Sequence, residues 1–131
     1  MSQANVELVQ RGFEAFNRRD FDSVLATMSD AITWTPLFTV EAPILEGKDA
    51  IRGAWASQVE ALDLQVEPLE LIPLDDVRVI AVTRWRGRGV SSGIPVHETR
   101  ALIFTIQGGK AVRVEPYASK KEALEAVGVS E

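Results

Sequence analysis

Residues 108–129 read GGKAVRVEPYASKKEALEAVGV, and this stretch decides the fold of the chain. The glycine pair predicts a hairpin turn in which Gly109 takes the left-handed conformation. Apolar and polar residues then alternate, which predicts the last strand of a sheet. Ser119 and Glu122 have the spacing of a capping box, so a short helix begins directly after that strand and ends at Gly128. We expect this helix to lie at the rim of the sheet or over the mouth of the space that the sheet encloses.

Three further segments upstream of this hairpin have the composition of strands. They cover residues 63–74, 77–89 and 96–106. Pro68 and Pro73 interrupt the first of them, which indicates an edge strand or a bulge, because proline cannot donate to a strand ladder. Short turn sequences join the segments. Together with the last strand they predict four consecutive antiparallel strands.

The first half of the chain has mainly helical periodicity. A first helix is predicted to begin at Asn5 as N-cap, and a second at Asp20. A short strand that ends at Pro36 follows, and a third helix covers residues 48–62. The apolar residues that repeat at helical spacing are Val6, Val9, Phe13, Phe16, Phe21, Val24, Leu25, Met28, Ile51, Trp55, Val59 and Leu62.

The predicted order of elements is therefore α-α-β-α-β-β-β-β-α. A chain of 131 residues is long enough for one domain, and we assign residues 1–131 to a single α+β domain. Three helices come before the sheet is complete and must cover one of its faces. The sequence thus predicts a twisted antiparallel sheet with helices packed on it.

Composition excludes several classes of function. The net charge of −5 argues against binding to nucleic acid or to an anionic membrane, which needs clustered positive charge. The chain has no cysteine and a single histidine, His97, so we predict no disulfide, no metal site and no cofactor. Its N-terminus does not resemble a signal peptide, and its apolar runs are shorter than the ~20 residues of a membrane span. We expect a soluble, cytoplasmic protein.

The last hairpin predicts which residues of its two strands face the helices. Pairing about the glycine turn places Leu102, Phe104 and Ile106 on the same face as Val112 and Val114. This inner face is apolar and should be buried. The opposite, outer face offers a patch that is too apolar to be fully wetted and that we expect a partner to cover. The outer residues are Ala101, Ile103, Thr105 and Ala111.

Two charged residues continue the inner face toward its open end. Glu98 and Arg100 are separated by two positions, so their side chains are neighbours on one face. They are either a charged pair at the mouth of a pocket or an ordinary surface ion pair. His97 has the opposite parity and is predicted to face outward.

Other residue patterns allow both a binding and a structural interpretation. Trp34, Trp55 and Trp85 either line a pocket for flat molecules or belong to the plain core. The alternating arginines of the segment RWRGRG either pair with carboxylates across strands or capture an anionic ligand. These arginines are Arg84, Arg86 and Arg88.

Three stretches together resemble the SnoaL-like branch of the nuclear transport factor 2-like superfamily. They are VQRGFEAFNRRDFDSVLATMSDAITW at 9–34, EGKDAIRGAW at 46–55 and the closing stretch at 108–129. The resemblance implies a cone-shaped half-barrel in which helices wrap a strongly curved sheet around an apolar pocket. It also implies a homodimer formed through the outer face of the sheet. It does not identify an activity, since this fold hosts many unrelated functions.

The resemblance does not extend to steroid isomerase chemistry. Enzymes of that kind on this fold carry acids on the first and the penultimate strand and a tyrosine on the first helix. The matching positions here hold Thr35, Leu102 (or Ala101) and Phe13 or a neighbour of it. None of these side chains can act as the general acid or base that enolisation needs.

We therefore predict a protein that binds a small apolar molecule, with no catalytic residue identified. The alternative is a lyase, isomerase or hydrolase in which Glu98 or Glu115 is the base and Arg100 stabilises an anion. The candidate ligand-binding residues are Trp34, Trp55, Glu98, Arg100, Leu102 and Val114.

Overall fold

A computed structural model describes residues 2–36 and 43–128 of the chain. The element order is the predicted one with one short strand added before the third helix. No helix in the described ranges is long and apolar enough to cross a membrane. The elements are α1 (Ser2–Asn17), α2 (Phe21–Ala26), β1 (Met28–Trp34), β2 (Leu45–Glu46), α3 (Lys48–Leu62), β3 (Gln65–Pro73), β4 (Arg78–Arg88), β5 (Pro95–Gln107), β6 (Lys110–Tyr117) and α4 (Lys120–Ala126).

The six strands form one unclosed sheet in the order β2-β1-β6-β5-β4-β3. Strands β3 to β6 are antiparallel, as predicted, but β1 pairs with β6 in parallel. The sheet is therefore mixed and not purely antiparallel. Parallel pairing needs a long connection between the two strands, and the chain between β1 and β6 supplies one. Strand β3 lies at an edge and its register shifts between Pro68 and Glu70, so both consequences drawn from its prolines are confirmed.

The predicted N-cap of the first helix is wrong, whereas that of the second is confirmed. Helix α1 begins at Ser2, so Asn5 lies inside it and donates from Nδ2 to the carbonyl oxygen of Asp76 at 2.8 Å. This bond holds the β3–β4 turn against α1. The carboxylate of Asp20 accepts hydrogen bonds from the backbone N–H of Ser23 at 3.2 Å and from its hydroxyl at 2.6 Å.

The inner face of the sheet packs against α1, α2 and α3 and forms the main core. Leu102, Phe104 and Val114 are buried there, as predicted. The predicted burial of Val112 is wrong. The register shifts between Thr105 and Ile106, so Ala111 takes the inner position opposite Ile106 and Val112 is only half-buried. The shift is an extra residue in β6, which reverses the parity of the positions before it.

Helix α4 covers the outer face of the sheet, which corrects two expectations. Its residues Ala123 and Leu124 pack with Ile80, Ala101 and Ile103 in a second cluster of buried side chains. The helix therefore lies neither at the rim nor over the mouth of the inner space. Ala101 and Ile103 of the predicted outer patch are therefore covered from within the chain, because packing under an amphipathic helix removes their apolar surface from water.

The start of α4 follows the predicted capping signal. The Ser119 hydroxyl accepts a hydrogen bond from the backbone N–H of Glu122 at 3.2 Å. The Glu122 carboxylate accepts from the backbone N–H of Ala118 at 3.2 Å, one residue before the N-cap instead of at it. In the hairpin before α4, Gly108 and Gly109 both have positive φ, 60° and 76°, as the tight turn requires.

Candidate functional site

A cavity lies between the three helices and the inner face of the sheet. Its volume is about 30 Å³. One water needs ~10–15 Å³, and an apolar cavity stays dry. The described residues that line it are Leu8, Val9, Gly12, Phe13, Phe16, Val24, Thr27, Met28, Trp34, Trp55, Trp85, Phe104 and Ala111.

Six of these thirteen lining residues are aromatic, and their rings touch in one continuous series. Neighbouring rings meet edge to face, with centroids 5.5 to 6.3 Å apart and interplanar angles of 77° to 89°. This is a preferred geometry for aromatic pairs and gives the wall a defined shape. In order of contact the rings are Phe13, Phe104, Trp34, Trp55, Phe16 and Trp85.

A short hydrogen-bond relay holds the polar edge of one ring. Trp85 donates from Nε1 to the Thr83 hydroxyl at 2.8 Å, and that hydroxyl donates to the carbonyl oxygen of Arg100 at 2.8 Å. Thr83 is fully buried and does not line the cavity. The indole N–H of Trp85 is thus engaged outside the cavity wall, and its orientation is fixed.

The described lining residues carry no titratable side chain. Their polar side-chain groups are the indole N–H groups of the three tryptophans and the hydroxyl of Thr27, which donates to the carbonyl oxygen of Val24 at 2.6 Å. General acid–base catalysis needs a proton donor or acceptor within hydrogen-bond reach of the reacting atom. The wall as described favours binding through apolar contact over proton transfer.

The predicted apolar site residues divide into two groups. Trp34 and Trp55 line the cavity. Leu102 and Val114 are buried in the same inner core, but they are not among its lining residues. Trp85, which the sequence left open between pocket and core, belongs to both.

The charged pair lies on the inner face but outside the cavity lining. The register pairs Glu98 with Trp85 and Arg100 with Thr83, which are inner-face residues, so the predicted parity is confirmed. Arg100 Nη1 lies 2.9 Å from Glu98 Oε2, and their side chains are 25% and 44% exposed. An ion pair this exposed contributes little to stability, typically below about 1 kcal/mol.

Glu115 and His97 lie on the outer face of the sheet. Glu115 pairs with Ile103 and stands 4.0 Å from the guanidinium of Arg113. His97 is exposed and pairs with Arg86, so its predicted outward direction is confirmed. Glu115 is separated from the cavity by the sheet and is not a base for a reaction inside it.

Two of the three arginines of β4 pair with a carboxylate on the neighbouring strand, as the structural interpretation predicts. Arg84 and Arg86 both contact the carboxylate of Glu67 on β3, at 3.4 Å and 3.5 Å. Arg88 donates from Nη1 to the carbonyl oxygen of Gly93 at 2.7 Å.

Several lining residues escaped the sequence analysis, each for a different reason. Ala111 was assigned to the outer face because nothing in the sequence marks the register shift in β6. Thr27 follows a short helix and carries no pattern at all. Gly12 does carry a sequence signal, because glycine is unfavourable in the interior of a helix.

Solved structures share this architecture over nearly the whole chain. Bal32a from a soil-derived mobile gene cassette has a TM-score of 0.81 and 21% identity, covering 95% of this chain and 96% of its own. A Mycobacterium tuberculosis protein in complex with estradiol-17beta-hemisuccinate has a TM-score of 0.78 and 14% identity, covering 90% and 95%. A proposed polyketide cyclase from Xanthomonas campestris pv. campestris has a TM-score of 0.77 and 22% identity, covering 96% and 98%.

These similarities show that the chain has the cone-shaped nuclear transport factor 2-like fold, as the sequence predicted. Comparison with curated proteins gave no match. The family model of the SnoaL-like domain matches residues 9–114, which span α1 through most of β6 and include most of the cavity wall. The chain therefore belongs to the SnoaL-like domain family.

Proposed function

We propose that the chain binds a small, mostly apolar molecule with a flat ring in the cavity between the helices and the inner face of the sheet. The observation that carries the proposal is the series of six touching aromatic rings in a wall without a titratable side chain. Such walls recognise ligands by shape and by burial of apolar surface. The Mycobacterium tuberculosis neighbour, in complex with estradiol-17beta-hemisuccinate, supports a ring-bearing ligand for this fold.

The size of the cavity limits the ligand. Its volume of about 30 Å³ means that even a single ring must displace side chains from their present positions. Met28 is the wall residue best suited to this, because its unbranched side chain adapts most readily. We therefore expect a ligand close to the size of one aromatic ring to bind with the least rearrangement of the wall. Larger ring systems should bind only if the cavity widens further.

Tryptophan fluorescence tests this proposal directly. The chain has three tryptophans, and all of them line the cavity. Bromobenzene, whose heavy atom quenches tryptophan on contact, should quench the emission in a saturable way. Unlabelled benzene should compete with it and restore the emission. Quenching that rises linearly with bromobenzene and does not respond to benzene would contradict a binding site.

An anion contact at Arg100 is a second proposal, carried by its place on the inner face opposite Thr83. If Arg100 meets an anionic group of the ligand, Arg100→Met should weaken the binding of benzoate far more than that of benzene. Equal loss for both ligands would assign Arg100 a structural role only. The enzyme alternative needs Glu98 as its base, and would require Glu98 to leave its ion pair with Arg100.

A twofold homodimer, implied by the family resemblance, is also part of the proposal. The argument from an uncovered apolar patch no longer supports it, because α4 covers Ala101 and Ile103. Static light scattering over a concentration series tests it. A monomer mass at every concentration would overturn this part and leave ligand binding untouched.

A further inference from the structure

One glycine in the cavity wall has no local reason to be glycine. Gly12 lies in the interior of α1, where glycine is among the least favourable residues. Its φ is not positive. A Cβ added to it would come no closer than 3.8 Å to a neighbouring atom, the Thr27 hydroxyl oxygen, which is ordinary contact. Neither the backbone nor the packing therefore requires glycine at this position.

The same glycine marks the place where the cavity wall meets solvent. Among the described lining residues, Gly12 and Thr27 are only partly buried, while the other eleven are buried. The two lie next to each other, where α1 passes the junction of α2 and β1. Leu8, one turn earlier on α1, is the lining residue with the next largest exposure at 9%.

We infer that the gap over Gly12 and Thr27 is the entrance to the cavity, and that the missing side chain of Gly12 sets its width. This inference rests on the proposed function and names the residue that determines which ligands pass. The Thr27 hydroxyl already donates to the carbonyl oxygen of Val24, so the entrance presents little free polarity. It therefore suits a thin, flat, apolar molecule and excludes branched ones.

The chain supplies a matched control for a substitution at Gly12. Gly53 lies in the interior of α3, is exposed, and has no atom within 4 Å of an added Cβ. Gly12→Ala and Gly53→Ala should both raise the urea midpoint, since alanine favours the helix at either site. Only Gly12→Ala narrows the entrance.

Stopped-flow quenching by bromobenzene separates the entrance from the cavity. An entrance substitution should slow association and dissociation together, while the dissociation constant changes less. We expect Gly12→Leu to slow both at least about tenfold, which corresponds to about 1.4 kcal/mol of added barrier, and Gly12→Ala to slow them by a smaller factor. Gly53→Ala should leave both rates unchanged.

The outcomes distinguish this inference from the proposed function. If the wild-type chain binds bromobenzene and Gly12→Leu has the same rates, the entrance lies elsewhere and the proposed function stands. If the wild-type chain does not bind it, the proposed function fails and the inference fails with it. Circular dichroism checks the fold of each variant. Should Gly12→Leu not fold, Gly12→Ala decides the question, and rates equal to those of Gly53→Ala overturn the inference.

Discussion

The two faces of strand β5 are both buried, yet they are built differently. Four consecutive residues, 101–104, are buried, two on each side of the sheet. The inner pair is Leu102 and Phe104, and Phe104 is one of the six touching aromatic rings around the cavity. The outer pair meets Ala123 and Leu124 of α4. The rings on the inner side enclose a cavity, whereas the outer contact joins aliphatic side chains. Under the proposed function, the outer contact serves stability alone, whereas the inner one also holds the ligand.

The largest effects should come from truncating neighbours on opposite faces. Phe104→Ala should lower the free energy of unfolding by about 3–5 kcal/mol and Ile103→Ala by about 2–5 kcal/mol. Phe104 touches the rings of Phe13 and Trp34, so its loss should also change bromobenzene binding. Ile103 lies against α4, and its loss should leave binding intact.

Urea unfolding and bromobenzene quenching, measured on both variants under conditions where they remain folded, check this contrast. Equal changes in binding for the two variants would mean that the faces are energetically coupled and that the division of roles is wrong. Unchanged binding in Phe104→Ala would show that the aromatic series does not hold the ligand.

A moderate effect is expected from the relay behind Trp85. Thr83→Val keeps the shape of a fully buried side chain but removes the acceptor of the Trp85 N–H. Disrupting a buried hydrogen bond in this way costs about 1–3 kcal/mol. The Trp85 ring should also lose its fixed orientation, which near-ultraviolet circular dichroism would detect.

Thr105→Val is the control for this substitution, since Thr105 is a half-buried residue of the neighbouring strand that points to the other face. It should change neither the spectrum nor the dissociation constant of bromobenzene. If the two variants behave alike, the relay does not position Trp85.

The sequence predicted the architecture because long periodic segments set it. Helices α1 and α3 and the β3–β6 meander all carry apolar spacing that leaves few alternatives. The side of the sheet that α4 covers was missed for a physical reason. A short helix with an apolar stripe can cover any nearby apolar surface, and its side depends on the turn at Ala118 and Ser119, not on its own pattern.

The site was harder to predict than the fold because it depends on single residues. A register shift of one residue in β6 places Ala111 in the cavity wall and leaves Val112 outside it. No residue type in that strand indicates the shift. Glu98 and Arg100 were placed on the correct face by parity. Parity does not predict how far along the strand the cavity extends, and the cavity lining does not include this pair.

A smaller effect is expected at the cap of α4, which belongs to the outer face only. Ser119→Ala removes the side-chain oxygen that accepts from the Glu122 N–H and should destabilise the chain by about 1 kcal/mol. Bromobenzene binding should not change. Ser57→Ala in the exposed interior of α3 is the matched control and should be neutral or slightly stabilising. An unchanged urea midpoint for Ser119→Ala would show that this cap does not stabilise α4.

The smallest effect concerns the N-cap of α2, the helix whose other end reaches the inferred entrance. Hydrogen bonds from the Ser23 hydroxyl, and then from its backbone N–H, hold the pKa of Asp20 below the ordinary value of 3.8. A carboxyl with a lowered pKa in the folded state stabilises the fold above its ordinary pKa. That contribution is lost as the pH falls through the folded-state pKa. Asp20→Asn keeps a capping side chain that does not titrate.

The stability difference between the wild-type chain and Asp20→Asn should therefore depend on pH. Urea midpoints of the two proteins should keep a constant offset above about pH 5 and shift relative to each other toward about pH 2, with the wild-type chain losing more. The pKa of Asp75 is also lowered, by hydrogen bonds from the Val77 backbone and the Arg78 side chain, but Asp75 is present in both proteins and its effect cancels. Detecting this difference needs closely spaced pH values. Parallel curves over the whole range would mean that the charge of Asp20 adds nothing to its role as a cap.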